Sequence, residues 1–221
     1  MTEGGSARRY SSPLREENAR RTRQAITAAA HELFTERGYG ATSLADIAAA
    51  AGVARPTPTA VFGSKPALLK EVLDQALAGD DKPAPVAQRP WFRPVLEATS
   101  PTGVLDAYTG VINLISRRAA RIYEVVRRAA DEGGEVAELW ETLQRNRLAG
   151  AHMVIDRLAA LGPLADGLDI ERAADILSVF NDPALPHYLV ARCGWPEATF
   201  AAWLSGQLQH ALLPSGTTPR A

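Results

Sequence analysis

Between Gly38 and Pro66 the chain has room only for short helices, and glycine decides where each one stops. In Thr42-Ser43-Leu44-Ala45-Asp46, a serine stands directly before an apolar residue with an acid three positions later. That spacing lets the serine hydroxyl and the carboxylate satisfy the first backbone N–H groups of a helix reciprocally, so a helix opens there and runs through Ala51. Gly52 closes it, and a second short helical stretch ends near Val61-Phe62. Gly63-Ser64-Lys65-Pro66 then reads as a turn, an N-cap and a proline in the first turn of a fourth helix, Lys65 to Ala78. Upstream, Ile26, Ala29, Ala30, Leu33 and Phe34 recur at helical spacing, which predicts a helix from about Glu16 to Arg37 ended by Gly38. A short helix, a glycine turn and a second helix whose first residues can reach base edges form a helix-turn-helix, here Leu44 to Val61.

The residues of this region also resemble the tetracycline-repressor (TetR) family. The likeness is ungapped over about residues 20–70 and is carried by Ile26, Ala29-Ala30, Leu33-Phe34, Arg37-Gly38-Tyr39, Ala41-Thr42-Ser43-Leu44, Asp46-Ile47-Ala48, Ala51-Gly52-Val53, Phe62-Gly63-Ser64-Lys65 and Leu68-Leu69. It implies a homodimeric regulator, usually a repressor, that binds a palindromic double-stranded operator and releases it when a small molecule binds. Carried over to matching positions, Thr42, Ser43 and Lys65 become phosphate contacts, with plain helix capping the competing role for Thr42 and Ser43.

The sequence departs from the family pattern in the second helix of the motif, at Ala54-Arg55-Pro56-Thr57-Pro58-Thr59-Ala60. Pro58 has no N–H for the carbonyl of residue 54 and disfavours a helical Thr57, so an α-helix beginning at Arg55 would be strained. The expected resolution is Thr57 as N-cap with Pro58 the first helical residue, leaving a helix of barely more than one turn. Arg55, Thr57 and Thr59 are the polar candidates for DNA contact, Arg55 either on guanine or on a phosphate. The alternative is a TetR-fold small-molecule binder in which specific DNA binding is weakened or lost.

Charge divides along the chain. The net charge is −1, yet residues 1–65 carry nine Lys/Arg against six Asp/Glu, while the remainder carries fifteen against nineteen. A cationic N-terminal part suits a phosphate-binding module, and Arg8, Arg9 and Arg15 are available for a DNA backbone. With one cysteine, Cys193, no intramolecular disulfide can form. No apolar run approaches membrane length and the N-terminus has no secretory pattern, so no membrane partner and a cytoplasmic location are expected. His31, His152, His187 and His210 are scattered, without metal-ligand spacing, nucleophile elbow or phosphate-cradling loop. Neither catalysis, nor a metal, nor a cofactor is expected.

The fold class expected is all-α: a three-helix DNA-binding domain joined by a fourth helix to a helical ligand-binding and dimerisation bundle. The expected divisions are a disordered basic tail 1–15, a DNA-binding domain 16–64, a connecting helix 65–79, a proline-rich segment 80–103, a sensor domain 104–213 and a tail 214–221. In the sensor part, Leu105 to Val126 keeps a helical period that fits either one helix or two broken near Ser116, and Gly133-Gly134 ends it. A helix from about Glu135 to Leu161 carries the stripe Val136, Leu139, Trp140 and Leu143, which meets Asn146 and Arg147 before resuming near Met153. An apolar stripe interrupted by polar groups suggests an effector site with Asn146 orienting the ligand and Tyr108, Ile112, Tyr123 and Trp140 as walls; ordinary core packing of the same residues is the other reading. The last helix presents Phe200, Trp203, Leu204, Leu208 and Leu212 on one face. That face can serve core packing or pair with a symmetry mate, and by the family resemblance Ile170, Ile176 and Leu177 join it in a dimer interface.

Overall fold

The computed structural model describes residues 13–82 and 84–215, and every regular element among them is helical. The helices are α1 (Pro13–Arg37), α2 (Leu44–Ala50), α3 (Thr57–Phe62), α4 (Lys65–Ala78), α5 (Arg93–Glu97), α6 (Pro101–Ala130), α7 (Gly134–Ala159), α8 (Ile170–Phe180), the single turn α9 (Ala184–Pro186) and α10 (Glu197–Leu212). A 3₁₀ turn at Val86–Gln88 and a π-helical turn at His187–Arg192 complete the order. None of these helices is long and apolar enough to cross a membrane. The chain divides into two compact units between Val72 and Leu73, inside α4.

In the first unit, the periodic residues of α1 do what their spacing requires: Ile26, Ala30 and Phe34 are fully buried, together with Ile47 and Ala48 of α2 and Leu68 and Leu69 of α4. α1 begins at Pro13, three residues before the Glu16 expected, because a proline's fixed φ and missing N–H suit the first helical position. Arg15 is an exposed residue of its first turn, whereas Arg8 and Arg9 lie outside the described residues.

The second unit is a bundle in which α6 packs on α7 and α10, and α7 on α8. Its core joins Val104, Leu105 and Ile112 of α6 to Val154, Ile155 and Leu158 of α7, Leu177 of α8, and Phe200, Leu204 and Leu208 of α10. Phe92 and Val95 from the proline-rich stretch belong to the same core, so that stretch is built into the unit. Arg89 holds its start: buried itself, it donates to the Asp80 carboxylate at 2.6 Å and to the Lys82 carbonyl at 2.7 Å. Of the two readings the period allowed, one helix or two broken near Ser116, the structure takes the first. α6 runs unbroken for 30 residues, because neither Ser116, buried on its inner face, nor Gly110 disrupts a helix that no proline interrupts.

Candidate DNA-reading and ligand-sensing sites

The reading motif is assembled from local bonds. Ser43 accepts from the Asp46 N–H at 3.1 Å while its own N–H donates to Asp46 Oδ2 at 2.9 Å, a complete capping box that starts α2. The serine hydroxyl also donates to the same carboxylate at 2.6 Å, and these bonds hold the Asp46 carboxyl below its ordinary range. Gly52, at φ +65°, makes the turn; the Val53 N–H donates back to the Ala48 carbonyl at 3.0 Å.

α3 then begins one residue earlier than expected. Pro56 occupies the N-cap position without a side-chain bond, Thr57 is the first helical residue rather than the cap, and Pro58 sits second, buried. The first N–H groups of a helix have no intrahelical partner, so the missing N–H of Pro58 costs nothing there. Thr57 is helical despite the proline that follows, its N–H donating to the Ala54 carbonyl at 2.8 Å. Arg55, Pro56, Thr59 and Ala60 are exposed and Thr57 is half-buried.

Two of the expected phosphate contacts are committed elsewhere. Thr42 is 1 % exposed and its hydroxyl turns inward, donating to the Gly38 carbonyl at 2.9 Å and the Leu33 carbonyl at 3.3 Å, where it closes the end of α1. Its side chain is structural, which corrects the phosphate role. Lys65 is half-buried with its ammonium 4.0 Å above the Tyr39 ring, while Ser64 caps α4 by accepting from the Ala67 N–H at 3.2 Å. Ser43 remains exposed, its hydroxyl engaged in the cap.

Sequence reasoning missed what holds α3. Arg23 of α1 stacks its guanidinium 4.4 Å from the centre of the Phe62 ring, and the same side chain pairs with Glu71 of α4 at 2.7 Å. Three helices of the unit thus meet at one arginine. Nothing in local spacing announces a contact spanning 48 positions.

In the second unit, Tyr108, Ile112 and Tyr123 are buried, and Tyr123 meets Trp140 edge-on at 5.1 Å between ring centres. Asn146 is exposed and does not face this group, which corrects its role. The inward polar side chain is its neighbour. Arg147 donates to Gln144 Oε1 at 3.1 Å, to the Ser178 carbonyl at 2.6 Å and to Asn181 Oδ1 at 3.2 Å, with Asp182 at 3.4 Å. Asn181 in turn donates to the Tyr108 hydroxyl at 2.9 Å, and the Tyr123 hydroxyl reaches Gln144 at 3.5 Å. Burial pushes the Tyr108 phenol up, and burial reinforced by Asp182 pushes that of Tyr123 up to about 12, so both stay neutral hydrogen-bonding groups at physiological pH. The cluster therefore offers two phenols, an amide pair and a paired guanidinium beside an indole.

Several expected dimer residues are consumed by the chain's own core: Leu177, Phe200, Leu204, Leu208 and Leu212 are fully buried within the unit. A hydrophobic face that fills a core is unavailable to a partner, which corrects those five. Ile176 and Trp203 are half-buried, Ile170 is exposed at the start of α8, and Val179 is exposed on the side of α8 away from its buried residues.

Residues 26–72, the span that contains the capping box, the glycine turn and α3, match the family model described as bacterial regulatory proteins, tetR family. That match places a tetR-family segment in this chain. The chain is 26 % identical over 182 residues to the probable HTH-type transcriptional regulator ArpR of Pseudomonas putida, covering 79 % of this chain and 83 % of ArpR. Its fold is that of NalD, the secondary repressor of the MexAB-OprM multidrug efflux pump in Pseudomonas aeruginosa (TM-score 0.69, 23 % identity, 89 % of this chain and 98 % of NalD). It is also that of SmeT, solved as a complex with triclosan (TM-score 0.68, 20 % identity, 89 % and 94 % covered). The relatives are transcriptional regulators and not enzymes.

Proposed function

We propose that this tetR-family regulator is a repressor that binds a palindromic operator as a homodimer and lets go when a small molecule enters its second unit. The observation that carries the reading is the helix-turn-helix itself. Its first helix is capped on both sides, its turn is made by a glycine at positive φ, and its second helix leaves Arg55 and Thr59 exposed. The proline pair, which favoured a binder without DNA affinity, loses that force because α3 begins at Thr57 and accommodates Pro58 without a lost bond. Residues 16–64 would read DNA, 65–79 connect, and 104–213 bind ligand and dimerise, in the cytoplasm.

The effector site we favour is the cluster of Tyr108, Tyr123, Trp140, Gln144, Arg147 and Asn181, which combines aromatic walls with convergent polar groups. An aromatic compound with one polar end suits it, and the triclosan held by SmeT is such a compound. The dimer would pair the outer sides of α8 and α10, where α8 carries exposed Val179 and half-buried Ile176, and α10 carries half-buried Trp203 and the small exposed residues Ala198, Ala202 and Gly206. Selection from a random duplex library with the full-length chain tests the DNA claim. A two-fold symmetric site with half-sites about one helical turn apart is expected; enrichment of no sequence refutes it.

A further inference from the structure

The reading surface has a restricted chemistry. From residue 25 to residue 74 the chain contains neither asparagine nor glutamine, and between Arg37 and Lys65 its only cation is Arg55 and its only carboxylate Asp46. Asp46 is committed to the Ser43 cap. On α3 and its approach, the exposed side chains are Ala54, Arg55, Pro56, Thr59 and Ala60. Pro56, Thr59 and Ala60 stand at i, i+3 and i+4, one contiguous strip of the helix, with Pro56 at its N-cap in helical conformation.

Direct readout assigns a different side chain to each base. Adenine is read by the paired donor and acceptor of an Asn or Gln amide, cytosine by a carboxylate, guanine by Arg, and thymine by apolar contact with its C5-methyl group. The amides are missing, the carboxylate is engaged, one arginine remains, and the rest of the strip is hydrocarbon plus one threonine. We infer that this protein reads its operator through thymine C5-methyl groups packed against Pro56, Thr59 and Ala60, with guanine recognised by Arg55 alone. Adenine is then specified through the methyl of its paired thymine. The inference rests on the proposed DNA-reading role of α3 and names what α3 recognises.

Replacing thymine by deoxyuridine removes only the methyl group and keeps every hydrogen-bonding edge. In a duplex carrying the selected site, single thymine-to-uracil replacements in a half-site are titrated with the full-length chain. At one or more positions affinity should fall by about threefold to tenfold, the worth of one buried methyl. That penalty should vanish in Thr59→Ser, which keeps the hydroxyl, in Ala60→Gly or in Pro56→Gly. Each comparison is made between two duplexes with the same protein, so a loss of folding in a variant cancels. Specific binding indifferent to every uracil, or uracil penalties untouched by all three variants, overturns the inference and leaves the repressor reading standing. If no sequence is enriched at all, the repressor reading falls and the methyl code with it.

Discussion

Asn146 and Arg147 are adjacent in sequence but about 100° apart around α7, and that angle separates a surface residue from the hub of a polar network. Counting four residues from Leu143 reaches Arg147, and four more reaches the buried Ala151; Asn146 lies off this line. The interruption of the apolar stripe was legible in the sequence, whereas its phase needed the positions of α6 and α8. Replacing Arg147 by Ala should destabilise the protein by about 2–3 kcal/mol, because Asn181, Gln144 and Asp182 lose a charged partner together, while Asn146→Ala should stay within about 0.5 kcal/mol. Chemical denaturation of the two variants checks this; equal effects contradict the assignment. At the end of α6, bonds from Arg127 and then Arg128 lower the Glu124 carboxyl to about 2. The unfolded value is about 4.3, so this pairing contributes fully above that pH and fades as pH falls towards 2. The stability gap between the native protein and Glu124→Gln should accordingly be largest near neutrality and shrink between pH 4 and pH 3; a constant gap would speak against the pairing.

At the scale of elements, chemistry written in consecutive residues was easiest to read. α4 begins and ends where Ser64, Pro66 and the apolar period place it, and the capping box of α2 follows from Ser43 and Asp46. α3 was misplaced by one residue, because a proline tolerated at the second helical position as readily as the first leaves the start undetermined until packing buries Pro58. The arginine that pins α3 was invisible for the same reason: Arg23 and Phe62 meet only when α1 and α3 are folded. Two outcomes follow for this motif. Gly52→Ala forces a side chain into positive φ and should cost about 1 kcal/mol or more, seen as a lower melting temperature. Arg23→Ala should weaken operator binding more than it lowers thermal stability, since it frees the α3 end while the core of Ile26, Phe34 and Ile47 stays intact; a purely proportional loss of both would contradict a positioning role.

For the whole molecule, two compact units share one helix. The first six residues after Ser64 supply Leu68 and Leu69 to the first unit's buried set, and Arg89 fastens the chain beyond the other end of the helix through Asp80 and Lys82. The amphipathic period of α10 foretold burial without saying by what, and intrachain packing claimed Phe200, Leu204, Leu208 and Leu212 before any partner could. The proposed dimer contact therefore falls to the outer side of α8 and α10. The central claim is that two copies, paired there, read one symmetric DNA site. The most direct test is the mass of the complex in solution between the full-length chain and a duplex bearing the selected site, measured for the native protein and for Ala202→Glu with Val179→Glu. Two chains per duplex for the native protein, with the double variant monomeric and bound far more weakly, is the predicted result. A native protein that binds the site as a single chain, or a variant that still binds as a pair, would contradict it.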